Sequence, residues 1–241
     1  MMDELDKDLT LQWYEWLEEQ LIDIMRLIPP TPENFIAYSP RIAGLIVDAC
    51  GLLDSILRQV SLDPSLVDGK AKARDDLNIS DYAKLYAAKF ELPTLVSILR
   101  ISPPTYLNPF KDWTALVCGG TYQPLLWWTT HTNLKHDWIA NLKKGCLKTA
   151  IECLCALQQI ISVLPDLGTI VLRRGWVPGK KSSPQIVIEI LESKNQSQAL
   201  LVETKLFVVP RGPEKFPAKI EDFRPAAFNA SEGLIDFFGR W

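Results

Sequence analysis

The chain's two histidines, His131 and His136, fall in one stretch, LLWWTTHTNLKHDWI, over residues 125–139. Imidazole titrates near neutrality, which makes it the side chain most suited to proton transfer in water. On a helix advancing about 100° per residue, a spacing of five places the two rings roughly 140° apart. They flank one broad face and do not stack to chelate a metal, as positions i and i+4 would. Lys135 lies one turn after His131, and Thr132 and Asn133 one turn before His136, so a polar cluster borders an aromatic surface. In the competing account, Trp127, Trp128, Trp138 and Leu134 pack a core while the polar residues face water.

No metal box, phosphate loop or nucleophile elbow occurs elsewhere. Cys50, Cys118, Cys146, Cys153 and Cys155 are odd in number and lack the C-x2-C spacing of zinc sites. They read as buried thiols, and no metal or cofactor is expected. A second candidate group is RRGWVPGKK, where Arg173, Arg174, Lys180 and Lys181 surround Trp176. Basic side chains around an indole could hold a phosphate backbone and stack a base, and so bind RNA. A solvated hairpin is the competing account, since short charge clusters are usually exposed.

These residues sit in an ordinary globular composition, 47% hydrophobic and 23% charged over 241 residues. The net charge of −3 gives no general attraction for nucleic acid or anionic membrane, so any RNA contact must come from a local patch. Residues 1–30 carry Asp3, Glu4, Asp6, Asp8, Glu15, Glu18, Glu19 and Asp23 against Lys7 and Arg26. So acidic a start is no signal peptide, and no uninterrupted apolar run of about 18 residues is available to span a bilayer. A cytoplasmic protein without a membrane partner is expected.

Helices must position the histidines. Trp13, Trp16, Leu17, Leu21, Ile24 and Leu27 recur at spacings of three and four, and Pro29 and Pro30 end that helix. A second helix opens at Ser39 as N-cap with Pro40 in the first turn and runs to about Val60. Residues 61–78 read as a surface loop. Ser80 is expected to cap a short helix through DYAKLYAAKF, PTLVSILRIS to form a short strand, and PPTYLNPFKDW an irregular packed connection. Two helices follow, from about Pro124 to Leu142 and from about Lys144 to Leu164. Leu147, Ala150, Ile151, Leu154, Leu157, Ile160 and Ile161 form the apolar stripe of the second. TIVLRRGW, QIVIEIL and ALLVETKLFVVP then read as strands of a small antiparallel extension, followed by an aromatic, proline-rich tail. The expected class is mainly α: a helical bundle over 1–164 and a β-rich extension with an irregular tail over 165–241.

The succession NPFKDW, WWTTHTNLKHDW and LKTAIECLCALQQII resembles bacterial proteins of the HEPN superfamily, the higher eukaryotes and prokaryotes nucleotide-binding helical domain. YSPRIAGLIVDACGLLDSILRQV is similar to the helix of that fold bearing an acidic residue and, four positions later, a base; here these are Asp54 and Arg58. The resemblance covers about residues 5–164. It implies a helical bundle, a homodimer and metal-independent RNA cleavage, with a His assisting proton transfer at the ribose 2′-OH and an Arg stabilising the phosphorane. His136 matches the His of the R-x4-H motif, and His131 occupies the Arg position. Lys135 and Arg58 are the cations at hand to supply the missing charge.

Two function classes follow. One is a ribonuclease of defence or toxin type, its site composed across a homodimer from His136, His131, Lys135, Asp54 and Arg58. The other is a non-catalytic HEPN-like module that binds a protein partner or RNA, with the bundle serving as a dimerisation unit.

Overall fold

The computed structural model describes residues 3–60, 77–177 and 200–211. The chain is mainly helical with a small four-stranded antiparallel sheet, as its sequence leads one to expect. It divides into two compact units, Met1–Leu95 with Asn108–Ile160, and Val96–Leu107 with Ile161–Trp241. The second unit therefore takes in a mid-chain segment that the expected division at 164/165 assigned to the bundle.

In the first unit, α1 spans Glu4–Leu27, with the Asp3 carboxylate accepting the Asp6 N–H at 2.8 Å as N-cap. Its buried face is Leu11, Tyr14, Leu17, Leu21 and Ile24, one turn apart each time, with Met25 beside them. Trp13, Trp16 and Leu27, expected on that face, point to solvent instead. Two apolar stripes overlap along α1, and the one carrying Leu11 and Tyr14 takes the core. Next, α2 spans Pro40–Val60, where Ser39 Oγ accepts the Ile42 N–H as expected of an N-cap.

The third helix, α3, spans Ile79–Tyr86 and is capped by Asn78, not Ser80. The Asn78 side chain accepts the Ser80 and Asp81 N–H groups, and the Asp81 carboxylate accepts the Asn78 N–H at 3.1 Å, completing a capping box. After a one-turn α4 (Thr114–Val117) comes α5, Leu126–His136. The single helix expected to Leu142 stops there: Asp137 leaves helical geometry and its carboxylate accepts the Ala140 N–H, starting the short α6, Trp138–Asn141. α7 spans Leu147–Val163 and is buried at every residue from Cys153 onward, as befits a helix apolar nearly all round.

The second unit holds β1 (Ser97–Leu99), β2 (Thr105–Leu107), β3 (Leu200–Glu203) and β4 (Phe207–Arg211) in the order β2-β1-β4-β3. PTLVSILRIS supplies its expected strand as β1, and β2 lies inside the stretch expected to be irregular. TIVLRRGW, read as a strand, is the helix α8, Gly168–Arg173. Gly175, at φ 76, closes it: its N–H reaches Leu172 O, and the Trp176 N–H reaches Val171 O at 3.1 Å. QIVIEIL and the aromatic tail fall outside the described residues. Among the described residues no single helix is long and apolar enough to cross a membrane.

Candidate functional site

The first unit assembles its titratable side chains from three helices. Asp54 and Arg58 on α2 form an ion pair at 2.9 Å, both partly exposed. Tyr82 on α3 is fully buried, and its hydroxyl makes no hydrogen bond of standard geometry. Burial, reinforced by the Asp54 carboxylate close by, pushes that phenol well above its usual range.

On α5, His131 shares the inward face with Trp127 and Leu134, at spacings of four and three, and is 7% exposed. Trp127 fixes this face: its Nε1 donates to Pro109 O at 2.8 Å, and its ring meets Phe110 edge-on with centroids 5.8 Å apart. The NPF segment thus packs under the Trp pair. Trp128 in turn lies edge-on to the His131 ring at 5.1 Å.

His131 Nδ1 is buried without a hydrogen-bond partner. Burial first, and Lys135 second, lower the imidazole pKa to about 4, with Asp54 opposing the shift. The side chain is neutral at physiological pH. It cannot serve as the permanent cation that an Arg at this position supplies.

His136 lies in different surroundings. It ends α5, is exposed, and makes no hydrogen bond or ion pair among the described residues. Lys135 beside it is exposed too. The following turn is tied back to this helix end: Asn141 Nδ2 donates to Asn133 O at 3.2 Å and to Asp137 O at 2.8 Å, and Lys144 Nζ donates to Asn141 Oδ1 at 2.8 Å. Gly145 lets the turn close, since a Cβ there would meet Leu134 Cδ1 at 3.1 Å. Lys143 and Lys144 are exposed, and Trp138 is partly so. Sequence reading did not single out these two lysines; their signal is the adjacent pair in NLKKG directly after the histidine helix.

The structure therefore brings together Asp54, Arg58, His131 and Lys135, adds Tyr82, and sets His136 outside them on the surface. The RRGW group is placed differently from expectation. Arg173 and Arg174 lie at the end of α8 in the second unit, while Trp176 is 4% exposed and offers no face on which a base could stack. Lys180 and Lys181 lie outside the described residues. Of the cysteines, Cys50, Cys153 and Cys155 are buried as expected, with Cys50 and Cys153 Sγ 3.5 Å apart; Cys118 is exposed. No cluster of His, Cys, Asp or Glu able to hold a metal occurs among the described residues. Compared with protein-family models, curated proteins and solved structures, the chain matches none.

Proposed function

We propose that this is a HEPN-like, RNA-directed protein of the cytoplasm, acting as a homodimer and engaging single-stranded RNA at the exposed end of α5. One observation carries the reading: Lys135, His136, Lys143 and Lys144 are exposed around one hydrogen-bonded turn that also presents Trp138. Cations following a backbone, with an indole beside them, suit a single strand whose phosphates need charge and whose bases need a stacking face. His136 is the imidazole within reach of a bound ribose, where it takes the 2′-OH proton as that oxygen attacks phosphorus; the P–O5′ bond breaks, the departing 5′-oxygen takes a proton from water, and a 2′,3′-cyclic phosphate and a 5′-hydroxyl result. The lysines offset the charge that grows on the phosphorane.

A non-catalytic dimerisation or partner-binding module is the second reading, favoured by the neutral, buried His131 at the Arg position of the motif. Labelled single-stranded RNA, followed by anisotropy and by denaturing gel, separates the readings. Binding with cleavage supports the nuclease, binding without cleavage the module, and no binding at low salt overturns the RNA assignment itself.

A further inference from the structure

A second exposed aromatic surface of the first unit lies on α1, and neither histidine lines it. Leu9, Trp13 and Trp16 are 49%, 49% and 55% exposed, an unusual display for large apolar side chains spaced one turn apart. They border a groove of about 700 Å³ between α1 and the C-terminal half of α2, whose Leu52 and Ile56 form the apolar floor. From Asp6 to Trp16 the groove follows α1 for about 15 Å at 1.5 Å per residue, the length of roughly three helical turns.

Charge narrows the occupant. Asp6 lines the groove, and none of the described residues lining it is basic. Along α1, Asp8, Glu15 and Glu19 follow the flank next to Gln12, as their spacings of four, three and seven from that residue require. Whatever local contacts these carboxylates make, the first thirty residues carry eight acidic side chains against two basic ones. This field repels RNA and anionic lipid. It also disfavours a second copy, because a two-fold interface would face one acidic α1 with another.

We propose that this groove docks an amphipathic helix of a protein partner, with apolar residues at i, i+3 or i+4 and i+7 seated against Trp13 and Trp16 and with Lys or Arg along its edges. The indoles supply the rigid anchoring area, and the acidic flank supplies orientation and speed of encounter.

The test uses the full chain and a fluorescein-labelled helical peptide of Leu and Lys in an amphipathic pattern, with its Leu and Glu counterpart as control. Anisotropy should show binding of the Lys peptide that weakens as salt is raised, and binding of the Glu peptide weaker by about tenfold or more. Trp13→Ser with Trp16→Ser should reduce affinity for the Lys peptide by about tenfold. Both side chains are exposed, so the fold should persist. Ser55→Arg is a second, independent variant: it places a cation in the groove from an exposed position and should also repel the Lys peptide. Equal binding of the two peptides, no binding of the Lys peptide, or full affinity in both variants overturns the proposal. So does a dimer in light scattering that the Trp variant turns into monomer, since the occupant is then a second copy. Flotation with phosphatidylcholine vesicles that depends on Trp13 and Trp16 overturns it in favour of a lipid surface.

Discussion

His131 and His136 lie five positions apart on one helix, yet one ring is packed against Trp128 with an unpartnered nitrogen and the other stands in water among lysines. The inner imidazole is held neutral by burial, while the outer one is open to solvent and to any bound anion. A spacing of five on an eleven-residue helix is enough to divide them, because it carries the second ring past the edge of the buried face. Two like residues in one motif therefore need not share a task, and the difference can be measured one residue at a time.

The largest effect is expected at the outer ring. In the nuclease reading, His136→Ala lowers RNA cleavage by about a hundredfold or more, the usual contribution of a positioned acid or base. Its melting temperature should stay within about a degree of the native protein, since an exposed side chain with no hydrogen bond holds nothing in place. Thermal denaturation alongside gel assays of cleavage checks both halves. A large fall in stability would show that the outer ring has a packing role and would break the contrast.

At the inner ring the expected effect is on stability. His131 titrates near pH 4 in the folded protein and near 6.5 when unfolded, so between those values the unfolded chain binds the extra proton. Its contribution is therefore fully present above about pH 6.5 and is lost as pH falls toward 4. Over that window it amounts to roughly 2–3 kcal/mol. Urea unfolding at pH 7 and pH 4.5 should show the loss. Asp48, Glu152 and Glu203, whose pKa values burial raises, act in the opposite direction, so the comparison must be with His131→Gln, which keeps them and removes the imidazole. An unchanged pH dependence in that variant would place the proton elsewhere. His131→Arg, which restores the R-x4-H pattern, puts a guanidinium into a site 7% exposed and should destabilise the fold unless it captures Asp54.

Much of this arrangement was legible in the sequence, for reasons that differ from element to element. Ser39-Pro40 and the apolar stripes of α2 and α7 are strong local signals, and the structure keeps them. TIVL in α8 reads as a strand because it is rich in β-branched residues; the informative letter is Gly175, whose positive φ closes a helix. Asn78 was passed over for Ser80, although Asn three residues before Asp81 is a capping-box spacing. In the site, the Asp54–Arg58 pair follows from i,i+4 spacing alone. Tyr82 had no such signal: it reaches Asp54 only because α3 folds back beside α2, a tertiary fact with no period in the sequence. The burial of His131 and exposure of His136 likewise depend on which side of α5 Trp127 occupies.

A smaller effect is expected from the lysines of the outer surface. Lys143→Ser with Lys144→Ser should weaken single-stranded RNA binding by about tenfold at moderate salt and flatten the logarithmic salt dependence by about 1.4, as two counterion-releasing contacts are lost. Trp13→Ser with Trp16→Ser should leave both quantities unchanged, because the acidic α1 face has nothing to offer a phosphate. If the α1 variant weakens RNA binding as much as the lysine variant, the two exposed aromatic surfaces are not distinguished by charge.

The smallest effect belongs to Asp54 and Arg58, the pair beside the inner histidine. Their ion pair is partly exposed at 2.9 Å and spaced i,i+4, so a double-mutant cycle with Asp54→Asn and Arg58→Gln should return a coupling of only about 0.5–1 kcal/mol. The pair nonetheless acts on the inner ring. Asp54 raises the His131 pKa against burial, so Asp54→Asn alone should deepen the acid loss of stability and extend it to lower pH, with its onset near pH 6.5 unchanged. Arg58→Gln then decides which side of the comparison the pair belongs to. If it leaves RNA affinity unchanged while Lys143→Ser with Lys144→Ser reduces it, the guanidinium is committed to Asp54 and the inner cluster serves the fold. If it weakens RNA binding as strongly as the lysine variant does, the inner cluster reaches the RNA, and the division between buried and exposed histidines is structural without being functional.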